Sequence, residues 1–240
     1  ARKRVTEGNQ RMIYVDLARC TGCGACEEKC PRRVVDDGFN AGLGRRKAIY
    51  RPFAQAVPAI PVIDRENCLF FTKGRCKLCE KECPTGAIDY EQEDELLEIQ
   101  VGNIILATGY DPFDARRISQ YGYGRYPNVF TSMEIERMLS GSGPTDGKIV
   151  LRDGKTEPES IAIIHCVGSR DKNYNEYCSS ICCMQSLKFA HLVMERTGAE
   201  VYNFYIDMRT NFKDYEEFYQ RVLEEGGHFV RGKVAEITDA

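Results

Sequence analysis

The chemistry in this 240-residue chain is concentrated in its twelve cysteines. Cys20-Thr-Gly-Cys23-Gly-Ala-Cys26-Glu-Glu-Lys-Cys30-Pro31 has the spacing C-x2-C-x2-C-x3-C-P. Three thiolates two residues apart lie on one tight loop and can cap three irons of a [4Fe–4S] cubane. Gly22 and Gly24 let the backbone turn closely, so amide N–H groups can point at cluster sulfurs and stabilise the more negative, reduced state. Pro31 ends the loop and directs the fourth cysteine elsewhere.

A second run, Cys68-x7-Cys76-x2-Cys79-x3-Cys83-Pro84, has the same ending with its first gap expanded. In paired ferredoxins the fourth cysteine of each run serves the other cluster. The expected sets are therefore Cys20, Cys23, Cys26 and Cys83 for one cluster, and Cys68, Cys76, Cys79 and Cys30 for the other. Structural zinc prefers two separated C-x2-C pairs, so it fits these runs poorly. Between the runs, Tyr50-Arg-Pro-Phe53 and Val57-Pro58-Ala-Ile-Pro61 are expected to pack over the clusters.

The last four cysteines, Cys166, Cys178, Cys182 and Cys183, form C-x11-C-x3-C-C. They lie where a dinucleotide-binding fold keeps its Gly-rich phosphate loop. Cys166-Val-Gly-Ser-Arg-Asp171 supplies only one glycine of the three in G-x-G-x-x-G, so the pyrophosphate fingerprint is absent. Two readings stand side by side: a third [4Fe–4S] cluster, or buried, redox-active thiols.

The elements that position these groups follow from texture. Composition is that of a globular chain, with 42% hydrophobic and 29% charged residues. A net charge of −3 gives no support for a nucleic-acid face. No apolar run approaches the roughly 18 residues of a membrane span. The first ten residues have neither an initiator Met nor an apolar core, so no export signal is expected; clustered cysteines then read as metal ligands rather than disulfides. Both ends read as cuts through a longer polypeptide. Residues 1–92 hold eight of the cysteines and should contain only short elements. Residues 93–158 open with an apolar strand pattern, Ile99 to Leu106, closed by Ala107-Thr108-Gly109. A helix from Ser132 to Leu139 and a Gly-rich connector follow. Residues 159–240 alternate strand and helix: strand Ser160–Val167, helix Ile181–Thr197, strand Glu200–Asp207, helix Tyr215–Glu225 and strand His228–Ile237. That alternation implies a parallel sheet. His165 reads as a satisfied core histidine.

With these pieces in order, the chain resembles the flavin- and iron–sulfur-containing A-type subunits of heterodisulfide reductase. The resemblance rests on the ferredoxin run with Phe39-Asn40 and Arg46-Lys-Ala-Ile-Tyr50, on Val101-Gly-Asn-Ile-Ile-Leu-Ala-Thr-Gly-Tyr110, and on His165-Cys-Val-Gly-Ser-Arg-Asp171 with Tyr177-Cys-Ser-Ser-Ile-Cys-Cys-Met184. It implies an α+β ferredoxin-like domain, with two [4Fe–4S] clusters, inserted into an α/β two-dinucleotide-type, thioredoxin-reductase-like flavoprotein. Residues 1–92 would be the insertion, 93–158 the end of the FAD domain and its connector, and 159–240 an incomplete NAD-domain-like unit that binds no NAD. It also favours the third cluster. Ala107, Thr108 and Gly109 would run beside FAD, Lys188 would stand near the flavin ring, and Glu134 would be its acidic partner.

The activity so implied is that of a cytoplasmic oxidoreductase subunit of the CoB–CoM heterodisulfide reductase type, in methanogenesis. It performs flavin-based electron bifurcation among FAD, clusters and ferredoxin. Its partners would be B- and C-type subunits and a hydrogenase or formate dehydrogenase input, in a dimer of a larger complex. The disulfide chemistry would belong to a partner. A quinone-linked subunit of the same type and a non-catalytic ferredoxin-type relay are the alternatives.

Overall fold

The computed structural model describes residues 15–92 and 98–239. The chain divides into two compact units, residues 1–106 and 107–240.

In the first unit every element is short. Helix α1 (Ala25–Lys29) starts directly after Gly24, whose φ of 80° only glycine adopts without strain. Strands β1 (Arg33–Val35) and β2 (Arg45–Lys47) pair antiparallel, as do β3 (Ile49–Tyr50) and β4 (Val62–Ile63). Helices α2 (Leu69–Lys73) and α3 (Leu78–Lys81) follow, and Val15 bridges antiparallel to Ile88. The core gathers Val15, Ala48, Ile49, Ile63, Ala87, Ile88 and Tyr90 around buried Cys26, Cys30 and Cys79. Little apolar area is available, so buried polar ties hold the loops. Arg46 donates to Asp64 at 2.8 Å and lies 3.7 Å from Asp36. Asp36 in turn accepts from Phe39 N and Asn40 Nδ2. Burial alone would raise the Asp64 carboxyl, but hydrogen bonds from Arg46 and Asn67 hold it below the usual carboxylate range. Replacing Arg46 with Ala strands the buried Asp36 and the part-buried Asp64 carboxylates. The expected loss is about 3 kcal/mol of unfolding free energy, read by denaturant titration against the wild type; a loss under about 1 kcal/mol would show the pair to be dispensable.

Residues 98–106 do not form the expected strand; they carry no regular structure. A strand needs a neighbour to complete its ladder. Among the described residues none pairs here, and Ile105 remains 91% exposed.

In the second unit, α4 (Ser132–Leu139) starts from Thr131 in a complete capping box with Glu134. Strands β5 (Ser160–Ile164), β6 (Glu200–Tyr205) and β7 (His228–Arg231) form a parallel sheet in that order. Helices α5 (Cys182–Thr197) and α6 (Tyr215–Glu224) alternate with them. Leu187, Ala190 and Val193 of α5 pack with Val201 and Val222, all essentially inaccessible. Each strand is shorter than the expected one. β5 ends because Cys166 takes a φ of 58° and turns the chain out of the ladder. β7 ends at Arg231, after which Ile237 N bonds Gln120 O and Tyr121 Oη donates to Val234 O. No helix among the described residues is long and apolar enough to cross a membrane.

Candidate functional site

All twelve cysteines are free thiols. The first unit contains two cysteine-lined cavities that open to solvent. Cys20, Cys23, Cys26 and Cys83 line one; Cys30, Cys68, Cys76 and Cys79 line the other. Each cavity therefore draws three cysteines from one run and one from the other. The exchange follows from the chain path: Cys30 leaves α1 extended, with ψ 122°, toward Pro31, and Cys83 lies just beyond α3.

Among the described residues, no three His, Cys, Asp or Glu side chains are grouped to share one ion. A zinc ion would draw four sulfurs to about 2.3 Å from a single point. In a cubane each thiolate takes a different iron, so four sulfurs around a cavity suit the cluster better.

Donors face these sulfurs. Gly22 N lies 3.4 Å from Cys20 Sγ and Ala87 N 3.3 Å from Cys83 Sγ. Burial works against the Cys83 thiolate, but the Ala87 and Thr85 donors outweigh it and lower the thiol's pKa. Burial pushes Cys26 up to about 12 and raises Cys68 and Cys79. Such thiols stay protonated near neutrality unless a cation replaces the proton, which is what iron supplies. The donor sets thus fit two clusters.

The segments expected to cover the clusters do so only in part. Pro61 lines the first cavity, and a Cβ on Gly22, at φ 70°, would meet Ala59 O at 2.8 Å. Phe53 instead stacks on Phe39, and Val57 is 95% exposed.

In the second unit, Cys182 lies within hydrogen-bond reach of both Cys166 and Cys183, and Cys178 is close enough to act on Cys183 by charge. Cys182 opens α5 and accepts from the other two thiols. Its pKa is driven down, while those bonds and burial drive Cys166 and Cys183 up. The loop from Cys166 to Cys182 folds back on itself through Arg170 N to Tyr177 O and Asn175 Nδ2 to Gly168 O. Gly168 is required there, because a Cβ would sit 2.5 Å from the Phe113 ring.

Phe113 follows Ala107-Thr108-Gly109, whose backbone is exposed, with open space around Gly109. Tyr110 Oη reaches Met133 Sδ at 3.8 Å, in the first turn of α4. One turn on, Glu136 forms an ion pair with Lys188 of α5. Glu134, the expected partner of Lys188, instead lies buried and engaged by Arg152 at 2.8 Å and by its own capping box. The two glutamates are two residues apart, so they point to different faces of the helix. Gly109 has open space around it, and Lys188 is half-exposed.

His165 is buried, and Nε2 meets Asn203 Oδ1 at 3.1 Å. Its Nδ1 and Asn203 Nδ2 have no partner, so it is only half satisfied. His191 pairs with Glu225, and His228 stacks on Tyr202. Glu136 and Tyr90, whose hydroxyl lies 2.8 Å from Cys79 Sγ, escaped the sequence reading. Only the Ser-Met-Glu-Ile-Glu spacing on α4 and an aromatic seven residues after a cluster cysteine could have flagged them.

Residues 13–36 match the family described as "4Fe-4S binding domain". The iron-sulfur A-type subunit of the CoB--CoM heterodisulfide reductase of Methanocaldococcus jannaschii is 50% identical over 230 residues, covering 94% of this chain and 34% of that protein. The A-type subunit of the H(2):CoB-CoM heterodisulfide,ferredoxin reductase of Methanothermobacter thermautotrophicus is 45% identical over 229 residues, with the same coverages. The A-type subunit of the ferredoxin:CoB-CoM heterodisulfide reductase of Methanosarcina mazei is 45% identical over 237 residues, covering 98% of this chain and 29% of that protein. The chain spans about a third of the length of these curated relatives. Over nearly all of its length it is homologous to the A-type subunits of the heterodisulfide reductases.

Proposed function

We propose that the chain carries single electrons within an oxidoreductase subunit of the heterodisulfide reductase type, working in the cytoplasm. Two [4Fe–4S] clusters occupy the first unit, held by Cys20, Cys23, Cys26 and Cys83 and by Cys30, Cys68, Cys76 and Cys79. Cys166, Cys178, Cys182 and Cys183 would hold a third, and Ala107, Thr108 and Gly109 would contact an FAD. The arrangement is that of a ferredoxin-like insertion in a thioredoxin-reductase-like flavoprotein. The observation that carries the reading is the pair of cavities, each lined by four cysteines drawn from both runs.

The clusters supply one-electron carriers and the flavin a two-electron centre, which is what bifurcation requires. The chain's own residues hold thiolates, exclude water and aim N–H donors at the sulfurs. Lys188 supplies a cation to the flavin edge, moderated by Glu136. Electrons enter from a hydrogenase or formate dehydrogenase and leave to ferredoxin and to B- and C-type subunits, where the disulfide is reduced.

Iron, acid-labile sulfide and flavin measured on one anaerobic sample test the reading. About twelve irons per chain support three clusters and about eight only the ferredoxin pair; absence of labile sulfide would overturn it. Lys188 has a signed prediction. Lys188→Ala removes the cation, so the potential of bound flavin falls; Glu136→Gln releases it, so the potential rises. Each change is expected to be about tenfold in the reduction equilibrium, about 30 mV for two electrons. Shifts of the same sign in an anaerobic flavin titration would rule out this role.

A further inference from the structure

We propose that Tyr90 is a redox-tuning residue for the cluster of the second cavity, acting through one hydrogen bond to Cys79. The proposal rests on the two-cluster reading of the first unit and goes beyond it by separating the two clusters.

Tyr90 lines the second cavity and not the first. Its hydroxyl lies 2.8 Å from Cys79 Sγ. Both residues are buried, so water does not compete for the bond. The ring is fixed by Phe70 at 4.2 Å between centroids and by Phe71 at 5.8 Å in an edge contact. A thiolate bound to iron carries no proton, so the direction of the bond is settled: Tyr90 donates and the sulfur accepts. Donation to a ligand sulfur draws off negative charge. The reduced cluster is one unit more negative than the oxidised cluster and gains more from the bond, so its potential rises. The first cavity has backbone donors, Gly22 N and Ala87 N, and Thr85 Oγ1 at a looser 3.6 Å from Cys83. No side-chain replacement removes those backbone donors one at a time, whereas Tyr90→Phe removes one oxygen and keeps the ring.

The test is an EPR-monitored redox titration of the full-length protein, purified anaerobically, comparing wild type, Tyr90→Phe and Phe70→Leu, with iron counted in each sample. Tyr90→Phe is expected to make one cluster harder to reduce by about tenfold in its equilibrium, about 59 mV for one electron. The other cluster's potential and the iron content should not change. Phe70→Leu loosens the ring that holds the hydroxyl in place, so it should shift the same cluster in the same direction and by less than Tyr90→Phe does. Unchanged potentials in Tyr90→Phe would overturn the proposal. So would an equal shift in Phe70→Leu, which would assign the effect to packing. Loss of iron in Tyr90→Phe would also overturn it, by making the hydroxyl a requirement of assembly. Failure of the two-cluster reading shows separately, as a wild type whose iron and EPR signals lack the pair.

Discussion

Replacing Cys23 and Cys83 with Ala together will remove one cluster and leave its neighbour intact, a loss of about four irons. Replacing Cys23 and Cys30 together will remove both clusters, a loss of about eight. Each single variant takes one ligand from one cavity, but the doubles differ. Cys23 and Cys83 line the same cavity although they lie about 60 residues apart. Cys23 and Cys30 lie seven residues apart and line different cavities. If each run held its own cluster, the two results would be reversed. Iron and labile sulfide, measured anaerobically, read the outcome directly, and a surviving EPR signal in the Cys23/Cys83 variant identifies the remaining cluster.

Cys182→Ala is expected to cost about four irons while both clusters of the first unit remain. Cys182 is the sulfur on which Cys166 and Cys183 converge, and it opens α5. Alanine is the best helix former, and the face of α5 that packs in the core consists of other residues, among them Leu187, Ala190 and Val193. The variant should therefore fold, and its iron content reports on the site alone. Unchanged iron, together with a gain in titratable thiols on reduction, would assign these cysteines to thiol chemistry instead. Cys166 makes the second outcome less natural. It holds a left-handed φ of 58°, which costs a non-glycine residue about 1–2 kcal/mol and persists only where the surroundings demand it.

The grouping of the first eight cysteines could be read from spacing, because C-x3-C-P is a local instruction: the proline forces the fourth ligand out of the loop. The α4 helix was equally legible, since Thr131 and Glu134 form a capping box within four residues. The role of Glu134 was not. Choosing between Glu134 and Glu136 requires knowing which side of α4 faces α5, and an eight-residue helix leaves that to tertiary packing. Ile99 to Leu106 misled for a related reason: an apolar run states that a strand can form, and its neighbour decides whether it does. Tyr90 lies outside the motif, seven residues past Cys83, and its contact with Cys79 exists only once α3 and the following turn are packed.

The proposed interchange of ligands would also bear on the unfolded chain. A cluster bound by both Cys26 and Cys83 closes a loop of about 57 residues, and one bound by Cys30 and Cys68 closes a loop of about 38. Treated as cross-links, such closures each remove about 4 kcal/mol of conformational freedom from the denatured ensemble. The two loops overlap, so breaking either bridge loosens a span that the other still restrains. With the proposed clusters in place, a small unit with a thin apolar core would thereby gain the kind of support that extracellular proteins of its size take from disulfides.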